Sequence, residues 1–93
     1  MRTYELDGAL DSSNVMDRLA GLISAIKRER RLSLDLSRIT WIDSAGLAGL
    51  VRLLAEARRI GCEFRLSAAS DVVRRALAFA RLDILFPLET KPA

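Results

Sequence analysis

Apolar and polar residues alternate with a period of two in three short stretches of the chain. The stretches lie within residues 3–7, 32–36 and 63–67. Because successive side chains of a strand point to opposite faces, this alternation is typical of β-strands that bury one face. A short apolar stretch at residues 84–86 is compatible with a last strand or a packed tail. The pattern therefore predicts three strands and allows a fourth.

Three other segments repeat their apolar residues at steps of three and four, which places one apolar stripe along a helix. The stripes are Val15, Leu19, Leu22, Ile23 and Ile26, then Leu47, Leu50, Val51 and Leu54, then Val73, Ala76, Leu77 and Ala80. Residues whose side chains can cap a helix precede each stripe: Ser12, Ser13 and Asn14, then Asp43 and Ser44, then Ser70 and Asp71. Gly61 follows the second stripe, where a glycine typically ends a helix.

Strands and helices alternate along the chain, and this order predicts an α/β domain with a largely parallel sheet and right-handed crossovers. A length of 93 residues provides for one such domain. We assign residues 37–42 to a connection and expect Trp41 to pack beneath the turn that follows, with an exposed partner anchor as the alternative. An all-helical fold is the main rival, because leucine supplies the apolar positions of residues 32–36 and is not a strong strand former.

Composition excludes several kinds of chemistry. The chain has no histidine and one cysteine, Cys62, so His-dependent catalytic triads, imidazole zinc sites and an intrachain disulfide are ruled out. No dense acidic cluster indicates a metal, and we predict neither metal nor cofactor. Cys62 is expected to be a small buried apolar residue. The absence of a membrane-length apolar run and of an apolar leader, together with the single cysteine, predicts a cytoplasmic protein.

The net charge of +3 comes from 15 basic and 12 acidic residues. We interpret the basic residues as solvated faces of helices. The alternative is that they attract an acidic partner. Direct nucleic-acid binding is disfavoured, because the chain has few aromatic residues and no recognised motif.

The most informative segment places Asp43 and Ser44 at the amino end of the second helix, where backbone N–H groups lack internal partners. One of these side chains is expected to cap the helix. Ser44 has no histidine base, and the segment lacks the G-x-S-x-G, S-x-x-K and phosphate-loop patterns. A serine without a base is a poor nucleophile and a good kinase substrate. The sequence therefore predicts a binding protein and not an enzyme.

Small residues follow this serine, at Ala45, Gly46, Ala48 and Gly49. Each glycine costs a helix about 1 kcal/mol relative to alanine, so something must offset that cost. Close approach of another backbone, within the fold or from a partner, is the expected reason. The low face formed by the alanines and Gly49 suits docking of a second protein.

Three segments in this order resemble bacterial STAS domains, especially those of anti-sigma factor antagonists (anti-anti-sigma factors). They are the Gly-x-Leu-Asp turn at residues 8–11, the run from Asp35 to Leu47, and residues 73–88. The resemblance runs from Thr3 to Leu88. It implies that residues 1–93 form one STAS-like α/β domain with a mixed, mostly parallel sheet of about four strands and helices mainly on one side. By this resemblance we expect the family's usual first strand and last helix to be absent, which would leave a bare sheet edge and allow a homodimer.

The resemblance also implies a phosphorylation switch. In the family, the residue matching Ser44 is phosphorylated by a partner Ser/Thr kinase that is also the anti-sigma factor. The unphosphorylated form binds this kinase and frees a sigma factor, and a phosphatase restores that form. Asp43 and Asp11 match acidic residues near the acceptor. The expected partner-binding residues are therefore Asp11, Asp43, Ser44, Ala45, Gly46, Ala48 and Gly49.

A second STAS class is also compatible with so short a chain. It comprises the STAS subunits of bacterial phospholipid-transport ATPases of the Mla type, which bind the transporter's ATPase subunit. In that alternative, Ser44 caps the helix and contacts the ATPase without being modified.

Overall fold

The computed structural model describes residues 2–82 and shows three strands alternating with three helices. The elements are β1 (Arg2–Leu10), α1 (Val15–Arg28), β2 (Arg31–Ile42), α2 (Ser44–Ile60), β3 (Glu63–Ala69) and α3 (Asp71–Phe79). This order confirms the α/β class and shows that the all-helical alternative is wrong. The possible strand or tail at residues 84–86 lies outside the described residues.

The sheet has β2 at its centre, with β1 and β3 parallel to it on either side. Leu34 of β2 pairs with Tyr4 of β1 and Leu66 of β3. The predicted, largely parallel sheet is thus confirmed, with three strands that are all parallel within residues 2–82, where a mixed sheet of about four was expected. Because α1 and α2 both cross over in the same direction, right-handed connections place them on one face of the sheet.

The core lies between this face and the helices. Leu32, Leu34 and Leu36 of β2 are completely buried there, and the apolar stripes of α1 and α2 pack against them. On the other face, Ser33 pairs with Thr3 of β1 and Arg65 of β3, and Asp35 pairs with Glu5 of β1 and Ala68 of β3. The period-two pattern of residues 32–36 therefore predicted the buried leucine face correctly, but Ser33 on the other face is also buried, with 3% of its surface exposed.

The strand β2 is longer than its pattern indicated, because it continues through residues 37–42. From Leu36 onward, the buried residues of β2 are Leu36, Ile39 and Ile42, which are three positions apart instead of two. The register with β1 shifts twice along this stretch, and each shift inserts an extra residue into β2, as in a β-bulge. Gly8 lies at the second shift with φ of 72°, a conformation that glycine adopts without strain. Because β1 extends to Leu10, Gly8 lies inside the strand and the chain does not turn there.

The outer edge of β1 is partly covered by α1. The Arg18 guanidinium donates hydrogen bonds to the carbonyl oxygens of Asp7 and Ala9, and the Asn14 amide donates to the same Ala9 oxygen at 2.9 Å. Within residues 2–82, no strand pairs with this edge. Arg18 does not reach the first half of β1. The predicted homodimer would form through that half.

Candidate functional site

The candidate site lies where β1 and β2 end side by side. Leu10 and Ile42 are register partners, so the turns that follow them meet at the carboxyl edge of the sheet. The Ser12 N–H donates to Asp43 Oδ2 at 3.2 Å, and the Asp43 N–H donates to the Leu10 carbonyl oxygen at 3.4 Å. These two bonds fix the turn before α1 against the amino end of α2.

Asp43 is the residue that caps α2. Its Oδ1 accepts a hydrogen bond from the Gly46 N–H at 2.9 Å, and its own backbone is extended, so the helix begins at Ser44. The Gly46 N–H, with a smaller contribution from the Ser12 N–H, holds the pKa of the Asp43 carboxyl below its usual value. The carboxylate is therefore charged at neutral pH. Of the two capping candidates in the sequence, the structure selects Asp43.

Ser44 is exposed as the first residue of α2. Within residues 2–82, its hydroxyl takes part in no hydrogen bond, since the neighbouring capping bond is made by Asp43. The first N–H groups of a helix carry a partial positive charge, which favours an anion at this position. The hydroxyl is therefore free to react, and the helix end tolerates a negative charge on it.

Asp11 holds the adjacent turn together. Its Oδ1 accepts hydrogen bonds from the backbone N–H and the hydroxyl of Ser13, at 2.9 and 2.5 Å. Asn14 occupies the N-cap position of α1, but its side chain makes no capping bond and accepts instead from the Asp11 N–H at 3.0 Å. The suggestion that a side-chain oxygen of residues 12–14 caps α1 is therefore wrong. The polar side chains of this turn shape the chain beside Ser44.

The glycines of α2 are explained by packing within the fold. A Cβ on Gly46 would lie 2.1 Å from the carbonyl oxygen of Leu10, and a Cβ on Gly49 would lie 2.5 Å from Val15 Cγ2. The expected close approach therefore occurs at both positions, to the end of β1 and to α1. Gly46 is buried, so it supports a docking face from beneath and does not form part of that face.

An open groove of about 660 Å³ runs between α1 and α2, and its first α2 residue, Ala45, follows Ser44 directly. The apolar residues that line it are Ala45, Ala48 and Gly49 of α2, with Val15, Met16, Leu19, Ala20 and Ile23 of α1. The Met16 side chain is 70% exposed. The predicted low face thus forms one wall of the groove. The wall from α1 was missed, although Met16, Ala20 and Ile23 follow one another at helical steps.

Trp41 does not pack beneath the turn, because 57% of its surface is exposed. It pairs with Ala9 of β1, whereas the next residue, Ile42, is buried and pairs with Leu10. Successive side chains of a strand face opposite sides, so the burial of Ile42 directs Trp41 outward. The expectation of a packed indole was wrong, and the partner anchor stays a prediction.

Three further expectations from the sequence concern the cysteine, a metal site and a membrane span. Cys62 is buried, as predicted, and burial raises the pKa of its thiol. Among residues 2–82, no three carboxylate or thiol side chains are grouped so that they could hold a metal ion. In the same part of the chain, no helix has the length and apolar character needed to cross a membrane.

Replacing Asp43 with alanine is expected to lower the Tm by a few degrees at pH 7, because the Gly46 and Ser12 N–H groups lose their acceptor. The folded-state pKa of this carboxyl is lowered, so its stabilising effect is present above the unfolded pKa of about 3.9. The effect is lost as the pH falls through the folded-state value. Thermal unfolding followed by circular dichroism at pH 7 and pH 2.5 should show the difference between variant and wild type shrinking in acid. Asp43→Asn, which retains an acceptor, is the matched control, and a Tm loss independent of pH would contradict this account.

Comparison with known proteins gives a consistent fold. A family model described as "Mlab, STAS domain" matches residues 3–88. An anti-sigma factor antagonist from Mycobacterium paratuberculosis superimposes with a TM-score of 0.75 at 22% identity, over 96% of this chain and 76% of that chain. The Bacillus cell fate determinant SpoIIAA, in its phosphorylated form, gives a TM-score of 0.70 at 21% identity, over 96% of this chain and 82% of that chain. At these identities, the superpositions show the fold alone.

Transport proteins share the same fold. A sulfate transporter family protein from Wolinella succinogenes superimposes with a TM-score of 0.75 at 25% identity, over 90% of this chain and 69% of that chain. The fold therefore occurs both in regulators and in transporters, and it does not by itself select between the two.

Proposed function

Because this chain belongs to the STAS domain family, we propose that it is a protein-binding module controlled by phosphorylation of Ser44, as in an anti-sigma factor antagonist. The unphosphorylated form binds an anti-sigma factor that is also a Ser/Thr kinase, and this binding frees a sigma factor. Phosphorylation of Ser44 blocks the interaction, and a phosphatase restores it. We also propose that the module has no catalytic activity and acts in the cytoplasm with these partners.

The observation that carries the proposal is the position of the Ser44 hydroxyl. It is exposed and unbonded on the first turn of α2, and that turn is fixed by the Asp43 carboxylate through the Gly46 and Ser12 N–H groups. A kinase can therefore reach the hydroxyl without opening the fold. The phosphoryl group leaves intact the bonds that hold the helix end.

The charge added by phosphorylation of Ser44 acts on partner binding. A phosphoryl group adds a charge of about −1.5 to −2 at pH 7, and the amino end of α2 stabilises a charge of this sign. Asp43 and Asp11 already place two carboxylates on the two adjoining turns. The added charge therefore disfavours a partner surface suited to a neutral hydroxyl, while the domain itself stays folded.

The groove supplies the apolar part of the docking surface. Ala45 and Ala48 line it directly beyond Ser44, and Met16 contributes an exposed apolar side chain from α1. Gly49 allows the two helices to approach closely enough to form its floor. A partner seated over Ser44 would cover the start of this groove, so binding combines apolar contact with sensitivity to charge at one end.

The test of the switch is the intact mass of the protein purified from its own host. We expect a species about 80 Da heavier than the unmodified chain, which Ser44→Ala removes. Ser12→Ala is the matched control, since Ser12 is an exposed serine on the adjoining turn, and the heavier species should persist in it. A heavier species that survives Ser44→Ala, or none under any growth condition, would contradict the proposal.

A second candidate is a subunit of a phospholipid-transport ATPase of the Mla type, because the matching family model is described as "Mlab, STAS domain". In that function, the same surface binds the ATPase subunit and Ser44 is never modified. Asp43 makes the capping bond of α2, so Ser44 would serve as a contact residue only. Affinity capture from the host, with proteins identified by mass spectrometry, distinguishes a kinase of the anti-sigma type from a transporter ATPase.

A further inference from the structure

The edge of the molecule opposite Ser44 is strongly basic. The carboxyl ends of α1 and α2 meet the amino ends of the strands there, where the Glu63 N–H of β3 donates to the Arg30 carbonyl oxygen at 2.8 Å. We call this region the basic end. Its exposed cations are Arg2, Lys27, Arg28, Arg30, Arg31, Arg58, Arg59 and Arg65. Its carboxylates are Glu29, Glu56 and Glu63.

All three carboxylates of the basic end have partners within the fold. Glu29 accepts the hydrogen bond of the Tyr4 hydroxyl, Glu56 pairs with Arg59, and Glu63 pairs with Arg31 and Arg65. Five exposed cations of the basic end form no salt bridge within residues 2–82. They are Arg2, Lys27, Arg28, Arg30 and Arg58.

Charge is therefore segregated along the molecule. Eight cations and three carboxylates give the basic end an excess of five positive charges, larger than the net charge of +3 of the whole chain. Favourable interaction with helix carboxyl ends accounts for Lys27, Arg28, Arg58 and Arg59. It does not account for the cations of the strands and of the link before β2, so the accumulation points to an anionic partner.

The shape and composition of the basic end favour a lipid surface over a nucleic acid. A depression of about 400 Å³ lies there between the ends of α1 and α2, lined by Lys27, Arg28, Arg30 and Ile60 among others. Ile60 is 37% exposed, whereas the exposed aromatic residues of the described chain lie elsewhere, Trp41 near the opposite end of β2 and Phe79 on α3. The aromatic ring at the basic end, Tyr4, is half-buried and already has Arg2 over its face. Cations around an exposed aliphatic side chain suit anionic headgroups and the acyl boundary beneath them, whereas single-stranded nucleic acid needs aromatic stacking platforms.

We propose that the basic end binds the surface of a membrane that contains anionic phospholipids. Each Lys or Arg near such a surface strengthens binding by about fivefold. The 17 residues of α2 separate Ser44 from Ile60 by about 25 Å, which exceeds the screening length of about 8 Å at physiological salt. Membrane binding is therefore independent of the charge on Ser44. The module can present its Ser44 surface to a protein while it rests on the lipid.

Co-sedimentation with vesicles tests this proposal. We expect the full chain to bind vesicles of phosphatidylcholine containing 40% phosphatidylglycerol at 50 mM NaCl, and to bind neither pure phosphatidylcholine vesicles nor the mixed vesicles at 500 mM NaCl. The variant Lys27→Gln, Arg28→Gln, Arg30→Gln should lose about a hundredfold in affinity. The matched control is Arg38→Gln, Arg74→Gln, Arg75→Gln, which removes the same charge outside the basic end and should remain within about threefold of wild type. Circular dichroism checks that both variants are folded.

Two further measurements distinguish membrane binding from the phosphorylation switch and from nucleic-acid binding. Ser44→Asp should bind the mixed vesicles as wild type does, even if it loses its protein partner, so failure here and failure of the switch can be told apart. A 20-base-pair DNA duplex at equal phosphate concentration should bind at least tenfold more weakly than the vesicles. Equal loss in the two charge variants, absence of binding to the mixed vesicles, or tighter binding to the duplex would each overturn the proposal.

Discussion

Substitution of Gly46 by alanine is expected to lower the free energy of unfolding by about 3 kcal/mol or more, although it adds a single methyl group. The added Cβ would lie 2.1 Å from the carbonyl oxygen of Leu10 and 2.8 Å from its carbonyl carbon. A backbone group at the end of a strand cannot rotate away as a side-chain tip can. The amino end of α2 would therefore have to move off β1, and the two turns around Ser44 would separate.

The chain provides matched controls for this prediction. Gly21 lies in α1 with nothing within 4 Å of its added Cβ, so Gly21→Ala should stabilise the protein by about 0.5–1 kcal/mol. Gly49→Ala should give an intermediate loss, since its nearest neighbours are the side chains of Val15 and Leu19. Urea unfolding of the three variants measures the order. A Gly46→Ala variant as stable as Gly21→Ala would contradict the close approach of α2 to β1.

Substitution of Ser44 by aspartate is expected to weaken partner binding by about a hundredfold or more, while the Tm stays within a few degrees of wild type. A carboxylate at this position adds to the negative charge of the neighbouring Asp43, and covering such unpaired charge with a partner surface that suits a neutral hydroxyl costs several kcal/mol. The fold is preserved because the amino end of a helix favours an anion. Affinity capture of the partner and thermal unfolding of the same preparations measure the two effects.

Two variants isolate charge from size at this position. Ser44→Asn has nearly the shape of the aspartate without its charge, and it should retain most of the binding. Ser44→Ala removes the hydroxyl and should bind like the unmodified protein. If the asparagine variant lost as much affinity as the aspartate variant, the switch would act through bulk and not through charge. An aspartate variant that bound as tightly as wild type would contradict the proposed mechanism.

The elements with regular periodicity were predictable from the sequence. The apolar stripe of α2 and the glycine that ends it fixed that helix, and Gly61 adopts the left-handed conformation its position suggested. The second half of β2 was not predictable in the same way. Its bulges insert extra residues, which changes the spacing of Ile39 and Ile42 from two to three and removes the strand signal. Trp41 was misplaced for the same reason, because its face depends on where the bulges fall.

The candidate site was partly accessible to sequence reasoning. The adjacent carboxylate and hydroxyl indicated a capped helix end, but only the extended backbone of Asp43 shows which residue makes the bond. The need for small residues was visible at Gly46, whereas its contact with Leu10 depends on tertiary packing. The α1 wall of the groove was not predicted, because Met16 lies beside the main apolar stripe of that helix, at a position typical of a surface residue.

The central claim is that a charge on Ser44 controls partner binding on an unchanged scaffold. Trp41 is the single tryptophan of the chain and is 57% exposed two residues before Asp43, so its fluorescence is suited to following partner binding near the site. The most direct measurement is a titration of the captured partner into the chain that carries phosphoserine at position 44, alongside the unmodified chain. We predict saturable binding of the unmodified chain and a dissociation constant at least a hundredfold higher after phosphorylation. Equal dissociation constants for the two forms would contradict the account.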